Sequence, residues 1–262
     1  MQVSRRQALQ IFSAGTIGLT ACGCHSAPIT GRKQLIMMPE TQEMALGAEA
    51  FSSTLAREPE SRDPGIREMV ERVGQRIATV ARRDDFQWEF KAIASPVQNA
   101  FCLPGGKVAI YEGILPICES EEGLAVVMSH EIAHALARHG GERMSHKAIS
   151  QNLKNMTSQV TRERIPEKHE LLMQAYGLGS EYLVLLPYNR KQESEADHIG
   201  LMLMAEAGFD PREAPKFWNR FSRIKEGQAQ PEFFSTHPSD ERRASDLVKL
   251  MDEAMAVYRP SA

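Results

Sequence analysis

From about residue 40 onward, apolar positions mostly recur every three or four residues, the spacing of amphipathic helices. Thr41–Arg57 reads as a first helix. Asp63-Pro64 then supplies an N-cap followed by proline at the first helical position. Behind it, Ile66, Met69, Val70, Val73, Ile77 and Val80 form one buried stripe. The period changes within Asp84–Ala94, where Phe86, Trp88 and Phe90 alternate and predict a strand. Phe101–Leu103 and Lys107–Tyr111 predict a hairpin around Pro104-Gly105-Gly106. Ser120 can cap the next helix, with Glu121 and Glu122 in its first turn and Gly140-Gly141 as its stop. Helical patterns continue over Ser145–Val160, Glu167–Leu186 and Lys191–Ala207. Asp210-Pro211-Arg212-Glu213 starts a further helix, and Asp240–Val257 is the last. Helices around a small sheet or hairpin give an α+β fold. Neither a repeat nor a long linker divides residues 40–262, so they are expected to form one domain.

The first residues follow another logic. Residues 1–7 are polar with Arg5 and Arg6, and Ala8–Ala21 is an apolar run of about 14 residues. That is short of the ~20 a spanning helix needs and has the form of a signal peptide. It ends Leu19-Thr20-Ala21-Cys22, which resembles a lipobox. The expectation is a leader over 1–21, a lipid anchor on Cys22, and a tether over 22–39, placing the protein on a bacterial cell envelope membrane, facing the periplasm or exterior. Ser4–Leu9 also looks like a twin-arginine signal, and the export route stays open. A mitochondrial transit peptide would account for the arginines and serines but not for Cys22. The whole chain holds 42% hydrophobic and 25% charged residues, which excludes disordered and low-complexity classes. Residues 1–38 carry Arg5, Arg6, Arg32 and Lys33 and no acid, yet the net charge is -3. The body is therefore acidic and offers no broad footprint for nucleic acid. Four cysteines do not make a disulfide scaffold. Cys102 and Cys118 read as buried thiols, with pairing as the alternative.

The chemistry sits on the Ser120 helix. His130-Glu131-Ile132-Ala133-His134 is H-E-x-x-H, and four residues make just over one turn. Both imidazoles project from one face and can bind one Zn²⁺, with Glu131 beside them as a general base. Leu124, Ala125, Val126, Val127, Met128, Ile132, Ala133 and Leu136 make this helix apolar on most sides, which implies burial. A catalytic zinc takes three protein ligands and keeps an open position. The third must come from a separate helix. In Gln192–Asp197, spacing alone cannot separate Glu193 from Glu195, and either could be exposed and inert. Asp197, one turn beyond Glu193, could hydrogen-bond a ligating imidazole. Asn99, Ala100 and Phe101, ahead of the Pro-Gly-Gly turn, could form an edge strand that binds extended substrate.

His130–His134, Glu193–Asp197 and Thr236-His237-Pro238 together resemble the gluzincin zinc metalloproteases of peptidase family M48. Pro28–Arg32, Asn99–Phe101 with Pro104–Gly106, and Leu186–Arg190 extend the resemblance to most of the chain. It implies a mainly helical metalloprotease domain, one Zn²⁺ held by His130, His134 and Glu193, and Asp197 supporting a ligand, with Glu195 left without a role. It also implies that His237 and Arg243 stabilise the oxyanion. A His like His237 can instead fill the open zinc position, so catalysis and latency both stay open for it. The implied activity is endopeptidase cleavage of protein or peptide substrates in protein quality control, and the implied form is a compact, lipid-anchored protein. The alternative is a latent or chaperone-like zinc-binding protein. His25, His139, His146, His169 and His198 are expected at the surface or in packing.

Overall fold

The helix that carries the H-E-x-x-H pattern is the buried axis of the fold. In the computed structural model, which describes residues 24–180, 186–224, 233, 237 and 242–260, every residue of it from Gly123 to Leu136 is buried. The chain enters through a short antiparallel pair, β1 (Cys24–Ser26) and β2 (Lys33–Leu35). Helices α1 (Glu40–Leu55) and α2 (Pro64–Ala81) follow. Strands β3 (Glu89–Ile93), β4 (Ala100–Leu103) and β5 (Lys107–Tyr111) then form one sheet in the order β3-β5-β4. β5 runs parallel to β3 and antiparallel to β4. A single turn, α3 (Leu115–Cys118), leads into the central helix α4 (Glu121–Leu136). After it come α5 (His139–Arg164), α6 (His169–Ser180), α7 (Leu186–Glu206), α8 (Glu213–Ile224), α9 (Arg242–Lys249) and α10 (Met251–Val257). This is the mainly helical α+β architecture expected, with the small sheet beside the site helix.

Local chemistry sets several boundaries. Asp63 Oδ1 accepts from the Gly65 and Ile66 amides at 2.8 and 3.3 Å, and Ser120 Oγ accepts from Gly123 at 3.1 Å. Each cap stabilises its helix by about 1 kcal/mol. The α2 stripe buries Val70, Val73 and Ile77 in the same core as Phe90, Val108, Ile110, Leu124, Met128, Ile132 and Phe217. Burial of each such side chain contributes roughly 1.5–3 kcal/mol. The hairpin turn needs glycine at Gly106, where φ is +84° and a Cβ would lie 2.8 Å from the Trp88 ring.

Some boundaries differ from the sequence expectation. The central helix does not reach Gly140-Gly141. It ends at Leu136, and Arg138 turns the chain in a left-handed conformation, φ 51°. That conformation costs a non-glycine residue roughly 1–2 kcal/mol. A fork of Arg138 onto Glu43 at 2.6 and 3.2 Å, and onto the Met38 carbonyl at 2.9 Å, offsets it. Gly140 and Gly141 open α5 instead, and Gly141 lies so close to the Glu43 carboxylate that a Cβ would meet it at 2.1 Å. Helix α5 is continuous from His139, and the last expected helix is broken at Leu250 into α9 and α10. The described part of the expected tether, residues 24–39, is not a free linker. β1 and β2 pair, Ala27 and Ile36 are buried, and Gln34 Nε2 donates to the Ala137 carbonyl at 2.6 Å. The leader and Cys22 lie outside the described residues. Cys102 and Cys118 are free thiols. Among the described residues no helix is long and apolar enough to cross a membrane.

Candidate metal centre

Helix α4 presents His130 and His134 one turn apart, their Nε2 atoms 3.1 Å from each other. Helix α7 crosses it at close range. A Cβ on Gly200 would lie 3.0 Å from the His130 amide nitrogen, so the glycine lets the two backbones meet there. That approach carries Glu193 and Asp197 to the same face. Glu193 Oε2 lies 3.3 Å from His130 Nε2, and Oε1 lies 3.4 Å from His134 Nε2. His237 adds a fourth donor, with Nδ1 at 3.3 Å from His130 Nε2 and 3.2 Å from Glu193 Oε2. Ligand atoms of these four residues all lie within 4.8 Å of one another, and all four residues are buried. Two imidazole lone pairs facing each other across 3.1 Å are unfavourable unless something positive sits between them. The donor set of imidazoles and a carboxylate suits a divalent transition metal. The residues therefore fit a metal ion.

The surroundings orient these side chains. His130 Nδ1 lies 3.1 Å from Asp197 Oδ1, which assigns the N–H to Nδ1 and leaves Nε2 to the centre. Asp197 is gripped by Arg243, whose Nε and Nη2 donate at 2.7 and 2.6 Å. Burial opposes the Asp197 charge, but Arg243 and His130 hold its carboxyl below its ordinary value. The Arg243 guanidinium sits 3.5 Å over the Trp218 ring. Phe233 stacks on His237 with centroids 4.6 Å apart, so aromatic rings wall the site. Glu131 is buried beside the donor set, its Oε1 3.3 Å from His237 Nε2. Burial pushes its carboxyl up to about 7, and the Glu193 charge adds to the effect. Among the described residues, Glu131 Oε1 and Arg243 Nη1 are buried with no hydrogen bond.

Behind His134 lies a second polar chain that the sequence expectation missed. His139, expected at the surface or in plain packing, is fully buried. Its Nδ1 lies 2.8 Å from His134 Nδ1, and its Nε2 lies 2.9 Å from Glu195 Oε2. Five residues after His134 on a continuous helix it would face elsewhere. The left-handed turn at Arg138 swings it back. Burial pushes the His139 imidazole below its ordinary value despite Glu195. Glu195 is buried, not inert, and is bound by Arg32 and Thr30 as well. The other four histidines stay apart from the centre: His198 pairs with Glu253 at 3.0 Å, and His146 packs on Tyr188 with centroids 4.4 Å apart.

Among the described residues β4 lies at one edge of its sheet; it holds Ala100 and Phe101, and Asn99 immediately precedes it. Ala100 is buried in the core that contains α4, while Phe101 turns to the opposite face against Phe51 and Tyr111. Desolvation pushes the Cys102 thiol well above its ordinary value, and the Glu131 charge contributes, so this strand runs beside Glu131. The Phe233 amide donates to the Gln98 carbonyl at 3.1 Å, immediately before the strand. Thr236 and Pro238, which flank His237, lie outside the described residues.

Comparison with known proteins agrees with this centre. Residues 65–251 match the model of Peptidase family M48. The chain is 36% identical over 232 residues to the mitochondrial metalloendopeptidase OMA1 of Schizosaccharomyces pombe, an alignment covering 87% of the chain and 66% of that protein. It is 29% identical to the human mitochondrial metalloendopeptidase OMA1, over 88% of the chain and 46% of that protein. The β-barrel assembly-enhancing protease of Escherichia coli is 25% identical over 94% of the chain and 52% of its own length. The chain thus spans about half to two thirds of these relatives. They overturn the expected bacterial envelope location. Relatives at 36%, 31% and 32% identity are mitochondrial, in two yeasts and a plant, against 30% and 25% for the bacterial proteases. A basic, serine-bearing leader suits a mitochondrial address as well as an export signal. With its H-E-x-x-H helix, the carboxylate brought from α7 and the match over residues 65–251, the chain belongs to peptidase family M48.

Proposed function

We propose that the protein is a zinc-dependent endopeptidase that cleaves misfolded or mislocalised proteins. The observation that carries this reading is the buried Glu131 carboxylate, with Oε1 facing His237 Nε2 at 3.3 Å and making no hydrogen bond among the described residues, beside the donors of His130, His134 and Glu193. Those three residues would hold the metal. When bound, zinc supplies Lewis acidity toward a water and the scissile carbonyl. Glu131 takes the proton of the attacking water and hands it to the leaving amine, a task suited to a carboxyl near pH 7. Arg243 gives Nε and Nη2 to Asp197, while Nη1, 3.6 Å from Glu193 Oε2 and without a hydrogen bond among the described residues, is the donor for the oxygen on which charge develops. Substrate lies extended along the β4 edge at Asn99, Ala100 and Phe101, by strand addition. The test is cleavage of casein by the parent and by Glu131→Gln, with zinc content measured in both. Equal rates in the two proteins sink the general-base role.

A second reading concerns the resting state. His237 offers Nδ1 to the same centre as the three ligands, which favours a latent form in which it fills the fourth position. Membrane attachment through an acyl group on Cys22 is a separate proposal, resting on the Leu19–Cys22 pattern. Labelled palmitate should enter the parent and not Cys22→Ser; equal incorporation removes the anchor.

A further inference from the structure

We propose that the Thr30–Arg32 loop of the N-terminal hairpin is a working part of the metal centre, fixing the tautomer and orientation of His134 through Glu195 and His139. The proposal rests on the reading of His134 as a ligand. Its Nε2 faces His130 and Glu193, so that nitrogen must carry the lone pair and Nδ1 the proton. The Nδ1–H points at His139 Nδ1, 2.8 Å away, which must therefore accept. His139 is then left with one N–H, on Nε2, and this donates to Glu195 Oε2 at 2.9 Å. Only this proton arrangement satisfies all the contacts.

Its weak point is His139, because an imidazole can carry its proton on either nitrogen. With the proton on Nδ1, His139 would confront the His134 N–H donor to donor. His134 would relieve this by moving its own proton to Nε2, where it could no longer bind a metal. An anionic acceptor at His139 Nε2 excludes that arrangement, and Glu195 is that acceptor. Glu195 is itself held by Arg32 Nε at 2.8 Å and Nη2 at 2.7 Å, and by the Thr30 hydroxyl. Arg32 is anchored in turn by a fork onto Glu142 at 2.8 and 2.7 Å. Glu142 also accepts from Gln34 and Gln192, each at 3.0 Å. Each ligating histidine is thus backed by a carboxylate locked by an arginine. For His130 the path is Asp197 and Arg243; for His134 it is His139, Glu195 and Arg32. Arg32 lies before residues 65–251, so the second path ties the stretch that matches the family model to the N-terminal hairpin.

The positioning residues are His139, Glu195 and Arg32. In the full chain, Zn²⁺ affinity is measured by chelator competition for the parent, Arg32→Met, Glu195→Met and His139→Leu, together with the visible spectrum of the cobalt(II)-loaded proteins. Outer hydrogen-bond partners of metal ligands are worth about 10–100-fold in affinity. Each variant should lose at least about tenfold in Zn²⁺ affinity and show an altered cobalt spectrum, while still binding one ion at saturation. The Arg32→Met/His139→Leu pair should lose little more than its worse single variant, because both act on one path. His139→Asn, whose side-chain oxygen can accept from His134, should recover most of the affinity. If folded Arg32→Met and Glu195→Met match the parent in affinity and in cobalt spectrum, the network serves the fold alone and the proposal falls. Those two variants decide the question even if His139→Leu does not fold. A parent chain that binds no metal removes the ligand reading as well.

Discussion

Glu131 and Glu193 are buried carboxylates in one site, and their neighbours drive them in opposite directions. Burial raises Glu131 to about 7. Burial opposes the charge on Glu193 as well, but His134, His130 and His237 overcome it and hold the carboxyl well below its ordinary value. Such divergence suits Glu131 to carrying a proton and Glu193 to staying ionised, as the proposed function requires. Glu131→Gln should therefore keep its zinc and lose about 10²–10⁴-fold in casein turnover. Glu193→Ala should lose the metal, read by elemental analysis; full occupancy there rejects the ligand assignment. His237 is tested in the same assay. If its Nδ1 closes the centre at rest, His237→Ala should cleave faster than the parent with zinc still bound. A drop on the order of a hundredfold assigns it instead to stabilising the oxyanion.

At the scale of elements, the centre depends on how closely α7 lies against α4. Gly200 is the contact point, with space for a Cβ only 3.0 Å from the His130 backbone. Helix propensity alone favours Gly200→Ala by about 1 kcal/mol. The close approach should reverse that sign, and Gly200→Val should separate the helices, costing roughly 1–3 kcal/mol and weakening zinc binding. Denaturant titration with a zinc competition measures both; a stabilised Gly200→Val excludes the close-packing argument. The same packing explains what could be read from sequence. The pairing of His130 with His134, the Asp63 and Ser120 caps and the β4–β5 hairpin follow from spacings of a few residues, and they were legible. Glu193 and Glu195 were not separable because two residues on a helix differ by about 200°. Their roles depend on the rotation of α7, which spacing does not encode. In the fold α7 is buried on both sides, so Glu193 faces the ligands while Glu195 faces His139. The contact of His139 with His134 and Glu195 was not legible for a related reason. Its position follows from a left-handed arginine at 138, and the residue type alone gives no sign of that turn.

Across the whole molecule, arginines from near the two ends of the described chain converge on α7. Arg32 comes from the N-terminal hairpin and Arg243 from α9, and each neutralises a carboxylate, Glu195 on the path behind His134 and Asp197 behind His130. This makes the fold sensitive to acid in a definite way. Burial would raise Glu142, but hydrogen bonds from Arg32, Tyr188, Gln192 and Gln34 hold it at about 2. Burial likewise opposes Glu195, which His139, Arg32 and Thr30 hold at about 2. In the unfolded chain both return to about 4.3. A carboxyl with a lowered folded pKa stabilises the native state fully above its unfolded value and loses that contribution as pH falls through the folded one. The window here runs from about pH 4.5 down to about pH 2. Arg32→Met removes the cation that both groups share. In metal-free protein, where ligand protonation does not release an ion, the variant should be clearly less stable than the parent at pH 7. The gap should narrow below about pH 4 and close towards pH 2, as Glu142 and Glu195 become neutral in both proteins. Urea unfolding at a series of pH values measures that gap. A difference that stays constant from neutral to acid pH means that Arg32 stabilises the fold through the packing of its side chain rather than through its charge.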